Sequence, residues 1–87
     1  MVLMIAKQRV ASFDSWEKVF YSHQEAQKEA GLYLLHVVRN MSDQQEVYAI
    51  FEVKDLSKAK AFVTSPGIPE AQRLSGVIGE TEIVFLK

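Results

Sequence analysis

The chain has no cysteine, which excludes disulfide staples, thiol nucleophiles, thiolate metal centres and thiol redox switching together. Its four glycines, Gly31, Gly67, Gly76 and Gly79, are too dispersed to build a phosphate-cradling loop. No stretch approaches the roughly 18 consecutive apolar residues that a membrane-spanning helix needs. A dominant charge is missing as well: Lys and Arg number 10, Asp and Glu 11, and the net charge is −1. The basic footprint of a nucleic-acid or anionic-membrane binder is therefore absent. The opening run MVLMIAK lacks a basic leader and is too short for a signal-peptide core, so it reads as a first strand and the expected location is cytoplasmic.

What is present is apolar surface. Hydrophobic residues make up 48% of the 87. A chain of this length folding alone buries only roughly 60 to 65% of its unfolded surface. A single domain over residues 1–87 is expected, and without staples it is expected to lean on association.

Residues 2–10 (VLMIAKQRV) are β-rich. Asp14 followed by Glu17 looks like a capping box that opens a helix. Its apolar stripe runs through Trp16, Val19, Phe20, His23, Ala26 and Ala30 at 3.6-residue spacing and stops at Gly31. Residues 32–39 (LYLLHVVR) and 46–53 (EVYAIFEV) are β-type runs joined by a polar turn, which predicts a hairpin. Asp55 caps a second, short helix that must end near Ser65 because Pro66 follows. Pro69 starts at most one further turn, through Ala71 and Leu74 to Gly76, and residues 80–87 (ETEIVFLK) alternate as a last strand.

This β-α-β-β-α-β order predicts an α+β fold: a ferredoxin-like antiparallel sheet with both helices on one face. The uncovered face would then alternate apolar with polar residues. It does not. Simple alternation puts Leu32, Leu34, His36 and Val38 on one side and Tyr33, Leu35 and Val37 on the other, and sets Val47, Ala49, Phe51 and Val53 against Tyr48 and Ile50. Both faces are apolar, and the cheapest cover for the second is the same face of another copy across a two-fold axis. The expectation is a homodimer whose two sheets close face to face around a space for a small molecule.

The spacings Phe13-Asp14-Ser15-Trp16 and Phe20-Tyr21-Ser22-His23, then Ala30-Gly31 and the long hairpin, resemble the dimeric α+β barrel superfamily, the group that contains the antibiotic-biosynthesis monooxygenase-like domains. The segment Phe51 to Phe62 followed by Ser65-Pro66 looks like the strand-to-helix junction of small members of that group. The resemblance implies a dimeric α+β barrel. The superfamily spans cofactor-free monooxygenases, haem-degrading enzymes, lactone isomerases, polyketide cyclases and members without a known reaction, and fold alone does not choose among them. The haem-degrading members place a histidine near the second helix, where this chain carries Lys58, Lys60, Gln72 and Arg73, so no cofactor is expected.

His23 is the one titratable group on the first helix's apolar stripe, and His36 sits among Leu34, Leu35, Val37 and Val38 in mid-strand. Either is a candidate general base; the structural alternatives are a hydrogen-bonded core or rim imidazole for His23 and a dimer-interface imidazole for His36. Two histidines do not make a metal site. Tyr33 and Tyr48 are candidates to orient a ligand through their hydroxyls, Trp16 and Phe51 to wall it, and Arg39 to neutralise a carboxylate. Tyr48 and Phe51 have opposite parity in their strand, which speaks against the paired stacking aromatics of an RNA-recognition sheet. The expected function is binding of a small apolar or aromatic metabolite near the sheet; the alternative is a cofactor-free monooxygenase, isomerase or cyclase with His23 or His36 as base.

Overall fold

A computed structural model describes every residue from Met1 to Lys87. The elements in chain order are β1 (Val2–Val10), α1 (Phe13–Ser22), α2 (Gln24–Glu29), β2 (Leu32–Arg39), β3 (Glu46–Val53), α3 (Leu56–Val63), α4 (Gly67–Leu74) and β4 (Val77–Leu86). The four strands form one sheet in the order β2-β3-β1-β4 with every neighbouring pair antiparallel. This is the expected ferredoxin-like α+β arrangement, with the expected first helix divided into α1 and α2 and a full helix, α4, in place of the single turn expected from Pro69.

The first helix starts two residues earlier than the Asp14 capping box implied. Ser12 is still extended, at φ −141° and ψ 119°, and its hydroxyl oxygen accepts from the Ser15 N–H at 3.4 Å, so Asp14 lies inside the first turn. The helix also breaks at His23, which sits at φ −96° and ψ 7° between α1 and α2. Just before the break the Ser22 hydroxyl donates to the Val19 carbonyl at 2.6 Å, a local bond that competes with the helical ladder. Gly31 does terminate the helical region, at φ +78°, and a Cβ there would stand 2.8 Å from the Asp55 backbone nitrogen. Only glycine satisfies both demands.

Asp55 caps α3 as expected, accepting from the Lys58 N–H at 3.0 Å. The region after it holds more helix than the single turn expected from Pro69: α4 spans eight residues. Pro69 falls in its first turn, where a missing N–H has no intrahelical partner to lose. None of the α4 residues is buried, and no side chain caps its N-terminus. β4 begins at Val77 instead of Glu80 because the pairing with β1 shifts between Lys7 and Arg9, and Gly79, at φ +74°, lets the strand continue through that irregularity.

A second irregularity corrects the expected alternation of β2. Leu34 pairs with Phe51, but His36 pairs with Ile50, so Leu35 is the extra residue of a β-bulge. Leu32, Leu34, Val37 and Arg39 therefore share the side of Phe51 and Ala49, while Tyr33, Leu35, His36 and Val38 are exposed on the opposite side. The core lies wholly on the first side: Met4, Ala30, Leu32, Ala49, Phe51, Val53 and Ala59 form one buried cluster, and Val10, Trp16 and Val47 another. The helices cover this side. The other side is left open, with Tyr33 41% and Val84 48% exposed.

Candidate functional site

The floor of the covered side is made by alternate residues of β1, β3 and β4. Met4, Ala6 and Gln8 of β1 stand beside Phe51 of β3 and Thr81 and Ile83 of β4, with Ala6 opposite Ile83 and Ala49. Ala6 is short where Met4 and Phe51 are long, and the helices above do not close onto it. A cavity of ≈ 270 Å³ remains, walled by Trp16, Val19, Phe20 and His23 of the α1 region, Ala26 and Gln27 of α2, and residues of α3 and α4. That is just below the ~300 Å³ at which pockets for drug-sized ligands begin.

One wall is aromatic and fixed. The Trp16 ring, 2% exposed, stacks on Phe20 at 4.6 Å between centroids, and Phe20 meets Phe51 at 6.1 Å. The indole N–H donates to the Gln8 side-chain oxygen at 2.9 Å, and the Gln8 amide donates onward to the Thr81 hydroxyl at 3.0 Å. These bonds satisfy the indole and lock its ring.

The residues singled out from sequence separate into three groups. Trp16, Phe51 and His23 come together around the cavity. His23 does so from an exposed position at the helix break and makes no side-chain hydrogen bond to the protein; of the buried stripe expected for it, His23 and Ala26 are exposed while Ala30 returns to the core. Tyr33, His36 and Tyr48 lie on the open side of the sheet and do not line the cavity. The Tyr48 hydroxyl donates to the Glu46 carboxylate. That bond, helped by Asn40, holds the Glu46 carboxyl below its usual range and pushes the Tyr48 phenol above its own. Arg39 faces the helices but stays outside the cavity, its guanidinium 4.2 Å above the Phe13 ring, a cation–π contact in place of the expected carboxylate contact. Nowhere do three His, Asp or Glu side chains gather as metal ligands would.

No protein-family model matches the chain, and no curated protein sequence matches it significantly. Solved structures do. A Bordetella bronchiseptica protein assigned as an antibiotic biosynthesis monooxygenase superposes with a TM-score of 0.78 at 13% identity, covering 99% of this chain and 94% of that one. A conserved protein of Methanosarcina mazei Go1 gives 0.72 at 21% identity, covering 99% and 90%. SnoaB, a cofactor-independent oxygenase from Streptomyces nogalater, gives 0.71 at 18% identity, again covering 99% and 90%. The chain has the same fold as these antibiotic-biosynthesis monooxygenase-like structures. At these identities the likeness establishes architecture, and the chemistry rests on the cavity's own residues.

Within this antibiotic-biosynthesis monooxygenase-like fold, several cavity residues escaped the sequence reading: Gln8, Gln27, Gln72, Ser75 and Thr81. Two of them left a signal. Gln8 is the one polar residue on the Met4, Ala6, Gln8, Val10 face of β1, and Gln27 continues the series Trp16, Phe20, His23 at helical spacing. Gln72 and Ser75 left none, since α4 was not expected as a full helix.

Proposed function

We propose that this chain binds a small apolar or aromatic metabolite in the cavity between its sheet and its helices, and that two copies associate through their open sheet faces. The observation that carries the first part is the cavity itself: 13 of its 21 lining residues are hydrophobic, and a stacked aromatic wall offers a planar ligand a matching surface. Titration with naphthalene-like compounds, followed through the single tryptophan, Trp16, tests it. Saturable change in Trp16 emission, with matching heat in calorimetry, is expected. A flat response to the whole panel overturns it.

Two quantities support the second part. Only 13 of the 87 residues are buried, and the surface of 5624 Å² exceeds the roughly 5,200 Å² typical of a compact monomer of this mass. Six of the eleven exposed large hydrophobics, Tyr33, Leu35, Val38, Ile78, Val84 and Leu86, lie on the open face, which no element of the chain covers. A second copy supplies a cover of the same shape, and His36 then belongs to the interface between copies. Light scattering after size exclusion is expected to give twice the 9.9 kDa of one chain; a monomer at micromolar concentration refutes it.

A second reading is favoured by one observation: His23 reaches the cavity with an imidazole unengaged by the protein. In that reading His23 takes a proton from an activated ligand that then reacts with dioxygen, the class of chemistry named for SnoaB. Dioxygen uptake in the presence of a bound phenol, lost in His23→Ala while binding persists, is the expected result.

A further inference from the structure

We infer that the cavity favours ligands that bring an uncharged hydrogen-bond acceptor, such as a ketone or ester carbonyl, and that the Thr81 hydroxyl donates to it; the inference rests on the cavity being the binding site. Trp16, Gln8 and Thr81 all line that cavity. They form one chain of hydrogen bonds whose direction is fixed by its first member.

An indole nitrogen only donates. Trp16 is 2% exposed and its N–H lies 2.9 Å from the Gln8 amide, so the end of the amide that faces it is the oxygen. The other end is then the nitrogen, which donates to the Thr81 hydroxyl at 3.0 Å. The hydroxyl oxygen is thereby an acceptor, and its own proton is left over, bonded to no protein group. Accepting one hydrogen bond also polarises a hydroxyl toward donating the next.

Thr81 stands on the helix-facing side of β4 and borders both the cavity and the groove between α4 and β4. It is half-buried, so water can take the spare proton while the cavity holds no ligand. A ligand that fills the cavity displaces that water. It then either accepts the proton or leaves a desolvated donor unpaired, and the second outcome is the costly one.

The other polar groups of the lining have no such fixed direction. The Ser75 hydroxyl already donates to the Gln72 carbonyl at 2.7 Å. The Ser65 hydroxyl, the His23 imidazole and the Gln27 and Gln72 amides are oriented by no side-chain hydrogen bond within the chain.

Calorimetry with acetylnaphthalene and isopropenylnaphthalene tests this. The two compounds are alike in shape and uncharged, so neither attracts His23 by charge, and they differ in whether oxygen or methylene ends the double bond. The wild-type chain is expected to bind the ketone about tenfold more tightly than the alkene. Thr81→Val, which keeps the branched shape without the hydroxyl, is expected to bind the two alike, and Thr81→Ser, which keeps the hydroxyl, to prefer the ketone. Equal binding by the wild type, a preference that survives in Thr81→Val, or its loss in Thr81→Ser each overturns the inference; survival in the valine variant assigns the donor to another lining group. Should Thr81→Val not fold, Thr81→Ala replaces it, and unfolding of both overturns the assignment by placing the hydroxyl's role in the fold. If the wild type binds both compounds equally, the selection fails and the site stands; if it binds neither, the site itself fails and the inference with it.

Discussion

The two sides of this one sheet are built from the same four strands and have opposite character. On the helix side the sheet's side chains are neutral apart from Arg39, which lies over the Phe13 ring, and the remaining polarity is confined to amides and hydroxyls. On the open side exposed apolar groups are interspersed with charges: Lys7 lies 3.9 Å from Glu46 and 3.7 Å from Glu82, and Arg9 pairs with Asp43. Each side carries one histidine. The contrast teaches that placement, more than residue type, decides which imidazole can meet a ligand: His23 borders the cavity because the helix breaks under it, and His36 faces away because a bulge turned it over.

The contrast breaks most severely on the covered side. Trp16→Ala removes a side chain buried at 2% exposure and is expected to cost about 3–5 kcal/mol in denaturant unfolding, while Tyr33→Ala, at an exposed position, stays within about 0.5 kcal/mol for a single protomer. Next in size is Ile50→Lys at the centre of the open side. Two-fold pairing would bring like charges together there, so light scattering is expected to find a single-chain mass, with Trp16 still responding to aromatic ligands. A dimer that persists contradicts the face-to-face arrangement.

Smaller effects sharpen the comparison. His23→Ala is expected to leave unfolding unchanged within about 0.5 kcal/mol and to weaken ligand binding by up to about tenfold, whereas His36→Ala leaves ligand affinity as it was. The smallest effect is acid sensitivity. Arg9 and then the Gln45 N–H hold the Asp43 carboxyl below its usual range, as Tyr48 and then Asn40 hold Glu46. Carboxyls depressed in the folded state stabilise it fully above the ordinary carboxylate range and lose that contribution as pH falls through their lowered values. Asp43→Asn is therefore expected to lower stability slightly at neutral pH, where the contribution is present, and to converge with the wild type in acid, so that the acid-side decline in denaturant unfolding is flatter; both sites are exposed, so the change is slight.

Much of the fold was legible because hydrophobic periodicity and caps operate locally. The bounds of β1, β2 and β3 matched those read from the chain. The sites lost at sequence level were those where one residue was added or turned: Leu35 in the bulge and Ser22 before the helix break. A single extra residue reverses every later side chain in a strand, and simple alternation does not reveal it. This misplaced His36 relative to Leu34 and hid the location of the cavity, which lies under the helices of one chain. Trp16 and Phe51 were identifiable as ligand-wall candidates since large aromatics on an inward stripe have few other places to go.

The helix α4 forms part of the cavity roof yet contributes nothing to the core, and glycines lie at its first position and just past its end, at Gly67 and Gly76. Such a segment is the seam at which the native state opens with the least free energy. Exchange of a guest should then follow that sub-global opening and not whole-chain unfolding. Staples that hold the seam shut would slow arrival and departure together and leave the equilibrium affinity where it was.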